Sequence, residues 1–146
     1  MVKSGIRVVL DTNVLVSAIV FGGIPQKVLS LVFKGDLTGI TSVSLMAELS
    51  EVIHKKFPFD KQDLEYWEEQ MRMDFEVVNP RNSLKVARDD DDNRVLEAAI
   101  TGKCEYIVTG DEDLLSLKKY KNIKILTPAE FFDLVSDSSF KSITNP

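Results

Sequence analysis

Two aspartates stand directly behind β-type runs, Asp11 in "IRVVLDTN" and Asp111 in "YIVTGDEDLL", and four more stand in a row in "VARDDDDNRVLEAA", from Asp89 to Asp92. The chain has one histidine, His54, and one cysteine, Cys104. A His-based acid/base pair, a Cys/His dyad and a Cys/His zinc site are therefore excluded, and carboxylates are what remain for chemistry. Carboxylates gathered without nitrogen or sulfur make an all-oxygen, strongly negative site, the preference of hard divalent cations such as Mg²⁺ and Mn²⁺. Ions of this kind orient a water, lower its pKa and neutralise charge building on a phosphoryl group, so hydrolysis of a phosphodiester is the reaction such a site serves.

Whether the acids meet depends on the elements that carry them. "IRVVLD" is a compact β-branched run of the kind found in buried strands. "NVLVSAIVFGG" reads as a helix closed by Gly22 and Gly23, and "PQKVLSLVFKG" as a second that opens with Pro25 and ends at Gly35. A short strand "LTGIT" follows, then a well-patterned helix "SVSLMAELSEVIHKKF" and a more polar, peripheral helix "DKQDLEYWEEQMRMD" that leads into the strand "FEVV". Behind the aspartate run come a helix over residues 93–101, the strand "YIVTG", a short helix "DLLSL", the strand "IKIL" and a helix from Pro128. Strands and helices alternate without repeats or an obvious linker, which predicts a single-domain α/β sandwich with a mainly parallel central sheet. In that architecture ligands bind at the carboxyl ends of the strands, where both Asp11 and Asp111 fall. A strand-ending aspartate also makes a good helix cap, so each alone is ambiguous and their agreement carries the functional reading. Residues 1–135 are expected to form the domain and residues 136–146, "SDSSFKSITNP", a loose tail.

Helical azimuth selects two more acids. In the helix containing Glu48, the apolar face is set by Leu45, Met46, Leu49, Val52 and Ile53, and Glu48 lies roughly 95° from its centre at about 100° per residue. Glu48 can reach into a crevice, whereas Glu51 points away from the apolar face. The competing reading for Glu48 is a solvated flank residue paired with Lys55 or Lys56. In the aspartate run, Asp92, Val95, Leu96 and Ala99 stand at i, i+3, i+4 and i+7, which directs Asp92 over the stripe that faces the sheet. Asp89, Asp90 and Asp91 are expected to precede the helix or fan away from it, with one or two of them capping it.

Together, "VVLDTNVLVSA", "SVSLMAELSEV", "DDDDNRVLEAA" and "YIVTGDEDLLSL" resemble, in order and spacing, the successive motifs of a PIN domain, and most closely the VapC-like toxins of prokaryotic toxin–antitoxin pairs. The resemblance covers nearly the whole chain to about Val135. It implies a PIN-like α/β/α fold and a metal-dependent endoribonuclease. Carried over residue by residue, it places the acidic quartet on Asp11, Glu48, Asp92 and Asp111, with Asp113 as an auxiliary. Thr12, Asn13 and Thr109 match polar positions that support the acids. The resemblance further implies an RNA substrate, a cognate antitoxin and a homodimer.

Composition sets the remaining bounds. With 146 residues, 44% of them apolar, the chain is long enough to bury a core without disulfides. No apolar run approaches membrane-spanning length and the N-terminus reaches an aspartate too soon for a signal peptide, so the expected location is cytoplasmic. Cys104 reads as a small core or surface residue and His54, beside Lys55 and Lys56, as a solvated helix end. The formal charge of −5 runs against simple attraction to nucleic acid. A bound divalent ion would offset part of it, and Lys27, Lys34, Lys55, Lys56, Arg88 and Arg94 are candidates for a basic rim, Arg94 being nearest in sequence to a proposed ligand and the candidate substrate contact. Two alternatives of other classes are a catalytically silent PIN-fold binding module and an acidic-pocket phosphotransfer enzyme. The latter fits less well, since Asp11 is followed by Thr12 and Asn13 where a phosphatase nucleophile would have an acid two residues on.

Overall fold

The computed structural model describes residues 5–58, 60–81 and 83–136. In chain order the elements are β1 (Arg7–Leu10), α1 (Thr12–Val20), α2 (Gly23–Phe33), β2 (Thr38–Ser42), α3 (Val43–Lys56), α4 (Lys61–Asp74), β3 (Phe75–Val78), α5 (Asp90–Thr101), β4 (Tyr106–Val108), α6 (Glu112–Leu117), β5 (Lys119–Tyr120), β6 (Ile123–Leu126) and α7 (Pro128–Ser136). The expected alternation is present throughout. The sheet runs β3-β2-β1-β4-β6-β5, with every pairing parallel except β5 against β6. The two-residue β5 has no counterpart in the sequence reading, because so short a run carries no measurable period. The expected tail falls outside the described residues from 137 onward, Ser136 being the last residue of α7.

Buried parallel strands bear apolar side chains on both faces, and β1 does so. Val8 and Leu10 join one core with Val28, Leu29 and Phe131 from α2 and α7, while Val9 joins the other with Val95, Leu96 and Ala99 of α5. The result is a three-layer sandwich with β1 at its centre. In α4 only Met71 is buried, with Leu64 and Trp67 partly covered, as its polar composition predicts. Gly39 in β2 lets the layers close: a Cβ there would stand 2.6 Å from the Phe75 ring and 2.8 Å from Val32. Among the described residues no single helix is long and apolar enough to cross a membrane.

The strand order reverses direction between β1 and β4. Chain connections leave these two strands toward opposite edges of the sheet, which opens a crevice above their carboxyl ends. Asp11 follows β1 there and Asp111 follows β4.

Candidate active site

Asp11 sits between β1 and α1. Its backbone N–H donates to Val108 O at 2.9 Å, carrying the β1–β4 ladder one residue further, and its side chain caps α1 by accepting from Thr12 N at 2.7 Å. The other carboxylate oxygen accepts from Thr109 Oγ1 at 2.7 Å and from Asn13 Nδ2 at 3.2 Å. Cap and cleft residue are therefore one side chain. Burial nonetheless raises the Asp11 pKa, outweighing these bonds, and repulsion from Asp111 and Asp91 adds to it. Thr109, fully buried, accepts from Asp111 N at 2.9 Å, and Asn13 Oδ1 accepts from Gly110 N at 3.2 Å. The two polar residues thus stitch the ends of β1 and β4 together. Asp111 in turn caps α6, accepting from Leu114 N at 3.2 Å.

Glu48 projects from α3, which Ser42 caps through a 3.2 Å bond from Leu45 N. It is half-buried, and its Oε1 accepts from Thr12 Oγ1 at 3.0 Å rather than pairing with a lysine. Burial pushes its pKa up to about 7, with repulsion from Asp91, Asp11 and Asp89 in the same direction and the Thr12 bond opposing. Glu51 is exposed and stands 3.9 Å from Lys55. The azimuthal distinction between the two glutamates is present in the structure.

In the aspartate run the helix boundary differs from the expected one. The helix begins at Asp90, three residues before the expected start, and Asp89 is its N-cap, accepting from Asp91 N at 2.9 Å. Asp92 points inward and is only 8% exposed. Its pKa is raised by burial first, then by a hydrogen bond to Asp111 that only the protonated Asp92 can donate, and by the charges of Asp111 and Asp11. Asp91 does not fan away. It lines the same cleft, with its own pKa raised by partial burial and by Asp89 and Glu51.

The cleft has a volume of about 390 Å³. Asp11, Glu48, Asp92 and Asp111, carried by four different segments, all line it. Of the six candidate rim cations only Lys56 lines the cleft. Arg88 is bound to Asp113 at 3.1 Å, and both border a separate outward depression with Asp89 and Asp90. Arg94 forms an ion pair with the buried Glu97, 2.7 Å from Nε to Oε1. Neither Asp113 nor Arg94 lines the acidic cleft. The sequence reading missed the cleft-lining Asp89, Asp91 and Phe57, and it missed Asn93. Asn93 is 1% exposed and its Oδ1 accepts from Val86 N and Ala87 N at 3.0 and 2.8 Å, while its Nδ2 donates to Ala87 O at 3.1 Å. It anchors the segment that delivers the aspartates. A polar residue at a helix position next to Asp92 was the available signal.

The donor set suits a hard divalent cation. It is oxygen only, partly desolvated, and its acids carry raised proton affinity because burial strips them of water and they repel one another. Among the described residues, no three of these side chains stand close enough together to hold a metal ion as they are placed; the carboxylates line the cleft walls, with Asp92 turned onto Asp111.

The PIN-domain sequence profile matches residues 7–113, nearly three quarters of the chain, from the first residue of β1 to Asp113. The chain belongs to the PIN-domain family. Members are generally nucleases that use divalent metal ions. The chain is 35% identical over 147 residues to the uncharacterized protein MJ1680 of Methanocaldococcus jannaschii, an alignment covering 91% of this chain and 94% of that one. Its PIN fold also superimposes with a TM-score of 0.55 on a chain of VapBC2 from Rickettsia felis, solved bound to a DNA fragment from their promoter. That match covers 82% of this chain and 97% of the other at 18% identity, a likeness of fold.

Proposed function

We propose that this PIN-domain protein is a divalent-metal-dependent endoribonuclease, and that it is the toxin of a toxin–antitoxin pair. The observation that carries the nuclease reading is the meeting of Asp11, Glu48, Asp92 and Asp111 from four segments in one cleft at the sheet's topological switch point. In this reading Mg²⁺ or Mn²⁺ is held by Asp11, Asp92 and Asp111, with Glu48 as a further ligand or as the group that positions the attacking water. The ion supplies water activation and neutralisation of charge on the phosphoryl group. The chain's own residues do the rest. Thr109 and Asn13 fix the Asp11 carboxylate, and Thr12 fixes that of Glu48. Glu48, half-buried in the cleft and oriented by Thr12, is suited to accept a proton from water. Residues 1–135 carry this chemistry as one domain, acting in the cytoplasm.

The toxin reading rests on the family and on the VapBC2 fold likeness. It adds a cognate antitoxin and a homodimer, and predicts that an antitoxin segment with a basic side chain enters the acidic cleft in competition with metal.

The test is cleavage of a labelled RNA with Mg²⁺, with Mn²⁺ and with excess chelator. Internal cuts that require the ion and vanish in Asp92→Asn are expected. Equal cutting in chelator would sink the metal mechanism, and metal binding without cutting would leave a binding module.

A further inference from the structure

Besides the acids, the cleft is lined by Val16, Val52 and Phe57, an apolar part of its wall, and by Lys56. Phe57 is the C-cap residue of α3 and Phe21 that of α1, and the two rings meet edge to face, 5.8 Å between centroids with planes 78° apart. Phe21 is 73% exposed. Core packing does not require an aromatic at so wet a position, and with Phe57 it gives the cleft an aromatic pair whose faces are open to a ligand.

A strand whose scissile phosphate lies at the acids must place the adjoining nucleoside within the same cleft. Further phosphates are repelled by the acids; an uncharged, flat base is not. Every base has a π-face that stacks on an aromatic ring, and single strands are held by such platforms together with cations that follow the backbone. We infer that Phe57, backed by Phe21, is the stacking platform for an unpaired nucleobase next to the scissile phosphate, with Lys56 contacting the neighbouring phosphate. The inference deepens the ribonuclease reading and rests on it: it names the side chain that receives the base. In a duplex both faces of each base are already covered, and the ring has nothing to stack on.

The experiment measures binding rather than cutting. A labelled ten-nucleotide single-stranded RNA is titrated with the full chain in Ca²⁺, an oxygen-preferring ion, and the strand is checked on a gel afterwards for integrity. The same strand with one abasic nucleotide, placed at each position in turn, is the comparison. For the wild type, one abasic position is expected to weaken binding about tenfold, within the range for loss of one base stack. Phe57→Tyr keeps that discrimination. Phe57→Leu, which retains an apolar side chain against the core, binds the intact strand about tenfold more weakly and no longer distinguishes the abasic one. If Phe57→Leu binds like wild type, or loses the same factor on intact and abasic strands, the platform does not exist and the wall is left to an apolar protein side chain. A wild type that binds neither strand overturns it equally. Cleavage in Mn²⁺ is scored separately: Phe57-dependent discrimination without cutting retains the platform and removes the nuclease, and cutting indifferent to the ring does the reverse.

Discussion

At the scale of single residues, the site is a set of carboxylates whose neighbours decide what each one does. Glu48 and Glu51 are chemically identical and three residues apart on α3, yet one is half-buried on Thr12 and the other stands in water. Glu48→Gln is expected to lose most ribonuclease activity, whereas Glu51→Gln stays near wild type. Equal rates for the two in an Mn²⁺ cleavage assay would mean that helix face does not decide function here. This distinction was legible in the sequence because it needs only the apolar stripe Leu45, Leu49 and Ile53. Thr109, expected from the family resemblance only as a support for the acids, shows what was not legible in the residues themselves. Its hydroxyl donates to Asp11 and accepts from Asp111 N, a double role that depends on two strand ends meeting 98 residues apart. Thr109→Val keeps the shape and removes both bonds, leaving buried polar groups unpaired at about 1–3 kcal/mol. Thermal melts should show Thr109→Val below wild type and Thr109→Ser close to it; a Val variant as stable as the parent would mean that water replaces the hydroxyl.

At the scale of elements, α5 holds the clearest lesson. Its apolar stripe fixed the direction of Asp92, because Val95, Leu96 and Ala99 are all buried against the sheet. Its start did not follow from that stripe. Three acids in a first turn complement the helix dipole, and Asp89 supplies the cap, so the helix extends back to Asp90 and swings Asp91 into the cleft. The segment before it is held from within the helix: Asn93 binds Val86 and Ala87, and Glu97 accepts from Leu84 N at 2.8 Å. Polar side chains that serve a loop's backbone carry no period, which is why composition could not assign them. The strand layer was legible except for β5, and its tightest point is Gly39. Gly39→Ala drives a methyl into Phe75 and Val32, and overpacking of this kind costs about 1–3 kcal/mol. A melting temperature several degrees below wild type is expected, and an unchanged one would show that Phe75 swings clear at no cost.

At the scale of the whole molecule, the fold spends stability to hold like charges together. Burial and mutual repulsion raise the proton affinity of Asp11, Glu48, Asp91 and Asp92 alike. The direction of the consequence is fixed by linkage. An acid whose pKa is higher in the folded state stabilises the fold while protonated; that contribution is full below the ordinary carboxylate pKa and is lost as pH rises through the folded value. For Glu48 the loss runs from about 4.5 to about 7, so the metal-free protein should melt lower at pH 8 than at pH 5. A divalent ion that binds the folded state reverses this, adding about 2.7 kcal/mol at a hundredfold excess over its dissociation constant, and more at pH 8, where protons no longer compete. Asp92→Asn separates the two effects. The amide imitates the protonated acid and can donate to Asp111 at any pH, so without metal the variant should melt above wild type at pH 8 and lose most of that advantage at pH 5. It should also lose the Mn²⁺-induced rise. Asp11→Asn should behave differently, since its amide would face the donors Thr109 Oγ1 and Asn13 Nδ2 and forfeit bonds that Asp92 never made. Melts of the three proteins at both pH values, with and without Mn²⁺, decide the matter: if Asp92→Asn melts below wild type at pH 8 without metal, Asp92 is a structural acid of α5, and the strain attributed to the cluster is not there.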